Sequence, residues 1–131
     1  MRAKFLLDSH TVLWTLYEPH LLPPAVRILV EDSLNELLIS DLSIWELVDK
    51  AAKYRLPVAG FSPDRIVERI MGLGSTILRI ELDDIVASVK LPSHHGDPHD
   101  RLIIAQARRT GATLLSKDGK FKQYDVPLLW A

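Results

Sequence analysis

The sequence predicts an α/β fold: a three-layer sandwich around a mostly parallel central sheet of about five strands, Rossmann-like in plan. Short apolar runs such as Phe5-Leu6-Leu7, Leu37-Leu38-Ile39 and Leu114-Leu115 recur along the chain. They are the length of buried strands. Segments with apolar residues at helical spacing separate them, and helix start and stop signals fall between the two kinds of segment. At 131 residues and 47% hydrophobic composition, residues 1–131 are expected to form a single domain with one packed core. No internal repeat, low-complexity tract or linker interrupts the pattern.

Residues 4–7 read as the first strand. Val12, Leu13, Leu16 and Tyr17 place a helix after it, and Pro23-Pro24 opens a second helix expected to reach about Leu34. Leu37 to Ser40 is the second strand. Ser43-x-x-Glu46 has the capping-box pattern, so the next helix is expected to begin there. Its buried stripe is Ile44, Val48, Ala51 and Ala52, and its polar face carries Glu46, Asp49, Lys50 and Lys53. Pro57 to Gly60 reads as a loop, and Ser62-Pro63 starts a helix ending near Gly72 and Gly74. Thr76 to Ile80 is the third strand and Leu82 to Lys90 a short helix. A histidine-bearing loop, Pro92 to Pro98, precedes a helix capped by Asp97 and stopped by Gly111. Ala112 to Ser116 and Val126 to Trp130 complete the sheet.

Composition removes several function classes. No apolar run approaches the roughly 20 residues of a membrane span, and the N-terminus lacks the pattern of a signal peptide. The chain has no cysteine, which excludes disulfides and thiolate metal sites and suits a reducing cytoplasm. Sixteen basic against seventeen acidic residues give a formal charge of −1, so no general field attracts nucleic acid; such a partner must be held by local patches or bound metal.

Four acids stand where apolar runs give way to polar residues: Asp8, Glu46, Asp100 and Asp118. In an open parallel sheet, strand C-termini and the N-termini of the following helices share the ligand-binding edge. All four carboxylates are therefore expected on one rim. Such a cluster repels itself without a divalent cation, and all-oxygen ligands suit Mg²⁺ or Mn²⁺ and phosphodiester chemistry. Each acid has a structural alternative: Glu46 completing a capping box, Asp97 and Asp100 supporting a helix N-terminus, and Asp118-Gly119 forming a turn. Asp8, between two apolar segments, is the hardest to explain structurally.

Lys50, one turn after Glu46, is either its i, i+4 partner, worth about 0.3–0.5 kcal/mol, or a phosphate contact. Arg101 is the second candidate for substrate binding, and Lys53, Arg55, Lys117, Lys120 and Lys122 are possible rim charges. Ser9 and Ser116 are candidates to orient the carboxylates or to cap helices. His94, His95 and His99 lie close in sequence, as a transition-metal site would need, but no ligand spacing organises them, and loop histidines are usually solvated. Trp14 and Trp45 read mainly as core or interface. The helix from Pro98 to Thr110, apolar nearly all round, is either a homodimer interface or wedged between the sheet and a neighbouring helix.

Four segments, in this order, resemble the PIN-domain ribonucleases, in particular the toxins of VapBC-type toxin–antitoxin pairs: Leu6 to Trp14; Ser43 to Leu47 with Lys50; His95 to Ala107; and Leu114 to Phe121. The resemblance implies a Mg²⁺- or Mn²⁺-dependent endoribonuclease acting on RNA, inhibited by a cognate antitoxin and usually dimeric. It matches Asp8, Glu46 and Asp100 to the family's principal acids and Asp118 to a more variable fourth. Ser9 stands where threonine is common, and His99 where an aromatic or small apolar residue is usual. The alternative class is a non-catalytic acidic pocket, either receiver-like or a degenerate nuclease kept for protein binding. A receiver-like site requires an acid at the end of the third strand, for which Glu81 is the nearest residue.

Overall fold

The computed structural model describes residues 3–54, 61–92 and 97–130. Along the chain run β1 (Lys4–Leu7), α1 (Ser9–Tyr17), α2 (Pro24–Glu31), β2 (Glu36–Ser40), α3 (Asp41–Tyr54), α4 (Pro63–Gly72), β3 (Thr76–Leu78), α5 (Leu82–Lys90), α6 (Pro98–Thr110), β4 (Thr113–Leu115) and β5 (Leu128–Leu129). Two 3-10 turns, Pro19–Leu21 and Gly119–Gln123, were not anticipated. The five strands form one sheet in the order β3-β2-β1-β4-β5, every neighbouring pair parallel.

Alternation along β1 builds the three layers. Successive strand side chains point to opposite faces. Phe5 and Leu7 join a core with Val12 of α1, Val26 of α2, Leu47 and Ala51 of α3, and Ile66 and Ile70 of α4. Leu6 joins Leu38, Leu78, Leu114 and the α6 residues Ile103, Ile104 and Ala107 on the other face. The central strands are thus buried on both faces, as a parallel sheet requires.

Several boundaries differ from the sequence reading for local reasons. Helix α2 ends at Glu31 rather than near Leu34. There the Asp32 carboxylate accepts the Leu34 N–H at 2.9 Å, and the Asn35 side chain donates to the Leu29 carbonyl at 3.0 Å. Helix α3 starts at Asp41, directly after β2, so Ser43 caps nothing; it is fully buried within the first turn, and Glu46 belongs to the second. Strand β3 stops at Leu78, because the Ile80 N–H turns to the Asp41 carboxylate at 3.2 Å. Gly111 ends α6 as expected, with φ 72° in the left-handed region that glycine adopts without strain. The Pro57–Gly60 loop, His94 and His95 fall outside the described residues.

The apolar circumference of α6 is resolved in favour of the wedge. Ile103 to Ala107 are all buried between the sheet and α5. It is α5 that carries an outward apolar stripe, Leu82, Ile85, Val86 and Val89, with Leu82 80% and Val89 71% exposed. Its inner side holds a buried carboxylate. Asp84, 1% exposed, accepts from Arg109 Nε at 2.8 Å and Nη2 at 3.1 Å, and from the Glu81 N–H at 2.9 Å. Among the described residues, no helix is long and apolar enough to cross a membrane.

Candidate active site

The strand order places a topological switch between β1 and β4. From β1 the chain builds toward β3 on one side, then returns to add β4 and β5 on the other. Ligands bind in the crevice beyond the strand C-termini at such a point. A cleft of about 620 Å³ opens there, lined by Asp8, Glu46, Asp97, Asp100 and Asp118 among others.

Asp8 follows β1 and caps α1. Its extended backbone (φ −75°, ψ 175°) lets Oδ1 accept the Thr11 N–H at 2.9 Å. The Thr11 hydroxyl, fully buried, stands 2.7 Å from the same oxygen and 2.8 Å from the Leu115 carbonyl at the end of β4. Its single proton serves one of these acceptors at a time. Ser116 donates its hydroxyl to Asp8 Oδ2. The Ser116 oxygen in turn accepts the Asp118 N–H at 3.0 Å, and Asp118 caps the following 3-10 turn through the Lys120 N–H at 2.9 Å. One serine therefore joins the acids that follow β1 and β4.

A second serine joins the next pair of walls. Ser9 donates to Glu46 Oε2 at 3.0 Å, fixing a side chain of α3 against the start of α1. Lys50 Nζ lies 3.1 Å from Glu46 Oε1 and does not line the cleft, so what the structure displays is the i, i+4 pair. Arg101 Nη2 donates to the Leu91 carbonyl at 3.0 Å, tying the start of α6 to the end of α5; it too stands outside the cleft lining. The basic side chains that do line the cleft are His10, His99 and the exposed Lys117 and Lys120.

His99 is largely shielded from solvent. It is the second residue of α6, and its backbone N–H donates to the capping Asp97 carboxylate at 3.0 Å. The ring stands between two acids, Nε2 3.2 Å from Glu46 Oε2 and Nδ1 3.8 Å from Asp100 Oδ1. The Glu46 approach is too poorly aligned for a hydrogen bond and is an electrostatic contact. The Asp100 carboxylate holds the His99 pKa above its ordinary value of 6.5; burial opposes the shift, and the charge of Glu46 adds to it.

The donor set fits a hard divalent cation by type: carboxylate oxygens from four elements, with serine hydroxyls bonded to Asp8 and Glu46. Among the described residues, no three Asp, Glu, His or Cys side chains converge tightly enough to form a metal cage. The fit is one of ligand chemistry and a shared cleft. Thr11 and Trp45 are the contributions the sequence reading missed, whereas His99 was already marked by its departure from the family pattern. Asp8-x-x-Thr11 has the spacing of an N-cap with its N3 partner, a usable signal for Thr11. Trp45, read as core or interface, is 66% exposed and lines the cleft; its position beside Glu46 in a helix offers no local sign of that.

Known proteins share this sequence pattern and fold. The chain is 32% identical to Ribonuclease VapC22 of Mycobacterium tuberculosis over 125 residues, 93% of this chain and 92% of that protein. Its fold matches that of VapBC2 from Rickettsia felis bound to a DNA fragment from its promoter, with a TM-score of 0.70 at 18% identity, covering 98% of this chain and 99% of that one. FitAcB from Neisseria gonorrhoeae gives a TM-score of 0.68 at 24% identity, covering 95% of this chain and 96% of that one. With the PIN domain matching residues 5–127, from within the strand that precedes Asp8 to the residue before the last strand of the sheet, the chain belongs to the PIN-domain family.

Proposed function

We propose that the protein is a divalent-metal-dependent endoribonuclease that hydrolyses RNA phosphodiester bonds as the toxin of a toxin–antitoxin pair. The observation that carries this reading is the cleft at the β1–β4 switch, into which separate elements bring Asp8, Glu46, Asp100 and Asp118. The relatives support it by name, one being a ribonuclease and others belonging to VapBC toxin–antitoxin assemblies. Divalent-metal dependence is general to PIN-domain ribonucleases, and Mg²⁺ or Mn²⁺ is the ion that oxygen donors favour.

In this reading Asp8, Glu46 and Asp100 are the principal ligands, and Asp118 is accessory. When bound, such an ion supplies charge neutralisation at phosphate and acidifies a coordinated water. The protein's own residues orient and exclude. Ser116 and Thr11 fix the two oxygens of Asp8, and Ser9 fixes Glu46. Lys50 offsets the charge of Glu46. Lys117 and Lys120, rim charges in the sequence reading and exposed in the cleft, would meet a phosphodiester backbone, while Lys50 and Arg101, the first candidates for that role, stand outside the cleft lining. The partners are RNA, a cognate antitoxin and a second copy of the chain. The homodimer is assigned to the apolar stripe of α5, since α6 is already covered. A cytoplasmic setting accords with the absence of cysteine.

A receiver-like pocket has less support. Glu81, the acid after β3, caps α5 and lies 3.3 Å from Arg109, and it does not line the cleft. The deciding experiment maps cleavage sites on total cellular RNA after brief expression of wild type and Asp8→Asn. It is paired with cleavage by the purified protein in excess chelator and after restoring Mg²⁺ or Mn²⁺. Site-specific cuts are expected only with wild type and metal. Full activity of Asp8→Asn or Asp100→Asn, or undiminished activity in chelator, refutes the proposal.

A further inference from the structure

Trp45 is out of place as a structural residue. Tryptophan owes most of its stabilising contribution to buried area, yet this indole is 66% exposed on the second turn of α3, at the mouth of the acidic cleft. Among the described residues it has no aromatic or cation partner. The other indole of the cleft, Trp14 on α1, is fixed. Trp130 packs on it at 5.7 Å between centroids, the His10 ring meets it edge-on at 6.1 Å, and Lys117 Nζ lies 5.8 Å from its centre. One wall is thus a braced aromatic with a cation over it, and Trp45 is a second aromatic with an open face.

The electrostatics narrow what that face receives. A protein of formal charge −1 whose cleft is lined by carboxylates gains little from long-range attraction to a polyanion. Aromatic faces interleaved with lysines are how proteins hold single-stranded nucleic acid under such conditions, since every unpaired base offers a π-face. An apolar peptide side chain would gain from the indole but nothing from Lys117 and Lys120, which line the same cleft.

We propose that Trp45 is a base-stacking platform of the cleft, taking an unpaired RNA base that flanks the scissile phosphate. This inference rests on the ribonuclease reading and adds to it a residue that positions the substrate. A base inside a duplex is already stacked on its neighbours, so the platform acts only on RNA that is unpaired or splayed at the cut.

The test uses the purified protein with Mg²⁺ and a fluorescent unstructured oligoribonucleotide containing a site mapped for the wild type. Trp45→Ala is expected to raise KM roughly 5- to 150-fold, the range for loss of one base stack, with kcat little changed and with Trp45→Phe recovering most of the loss. Abasic substitutions walked across the site should slow the wild type sharply at one flanking position and cause no further loss there in Trp45→Ala. In an Asp100→Asn background, which is expected not to cleave, the oligonucleotide should quench indole fluorescence more with tryptophan at position 45 than with phenylalanine. Equal KM and identical abasic profiles for wild type and a folded Trp45→Ala overturn the proposal. So does a variant that cleaves normally but escapes inhibition by its antitoxin, because Trp45 would then be a protein contact. If the wild type cleaves no RNA under any metal, the ribonuclease reading fails and the platform with it, an outcome distinct from the previous two.

Discussion

Thr11→Val removes one hydroxyl while keeping the shape of the side chain, at a fully buried position between β1 and β4. Asp8 Oδ1 then keeps the backbone N–H of residue 11 at 2.9 Å but loses the donor at 2.7 Å, while Oδ2 keeps Ser116. The Leu115 carbonyl loses the donor at 2.8 Å and keeps the long Asp8 N–H contact at 3.4 Å. A hydrogen bond to a charged acceptor contributes about 1.5–3 kcal/mol, and only one proton is lost, so about 2 kcal/mol of stability should go. For a domain of this size that lowers the melting temperature by roughly 6–10 °C. A larger effect is expected on metal. Residues that orient ligating groups typically change metal affinity about 10–100-fold, so the Mg²⁺ midpoint for RNA cleavage should rise by that factor while cleavage at saturating Mg²⁺ largely recovers. Thr11→Ser, which restores the hydroxyl, should recover most of both losses. Thermal unfolding by circular dichroism and cleavage across a Mg²⁺ series read the two effects separately. An unchanged Mg²⁺ midpoint in a destabilised Thr11→Val would show that the hydroxyl serves only the strand junction, and the argument that it orients a metal ligand would be wrong.

Other perturbations separate the fold from the site. Arg109→Ala strips the buried Asp84 carboxylate of its bidentate partner and leaves it only the Glu81 N–H. Discounted for the partial exposure of the arginine, a loss of about 2–3 kcal/mol is expected in a denaturant titration, with RNA cleavage by the folded fraction unchanged. His99 gives a pH signature. Its folded pKa is raised above 6.5 by Asp100 first, with Glu46 adding to the effect. The stability it contributes is therefore fully present below about 6.5, its unfolded value, and is lost as pH rises through the folded value. In excess chelator, the melting-temperature advantage of wild type over His99→Gln should be larger at pH 5.5 than at pH 9; a difference independent of pH would refute the assignment. Val86→Asp and Val89→Lys place charges on the apolar stripe of α5, and sedimentation should show a dimer converted to monomer without loss of secondary structure.

How much of this was legible in the sequence depends on whether a local signal or the strand order decides the outcome. Strand β1, helix α5, and the Asp97 and Gly111 caps of α6 follow from nearest-neighbour chemistry and were readable. The start of α3 was not, because Ser43-x-x-Glu46 matches a capping box whether or not a helix begins there; what decides is that β2 runs into Asp41 without an intervening loop. The acids pose the same problem more sharply. Glu81 has the local signature of Asp8, an acid after a short apolar strand and before a helix. Yet β3 lies two strands from β1 in the sheet order, roughly 10 Å away at ordinary strand spacing, and Glu81 is occupied in capping α5 and meeting Arg109. Asp118 comes 110 residues after Asp8 in the chain and yet is joined to it through Ser116, because β4 is inserted beside β1. No periodicity within either segment encodes that adjacency. It arises when the chain reverses its direction of growth across the sheet, and the same reversal opens the cleft. The acids that meet at this cleft are therefore those beside the switch, together with those that α3 and α6 carry to its walls. Moving either strand to another place in the order would disperse the site while leaving every local motif intact.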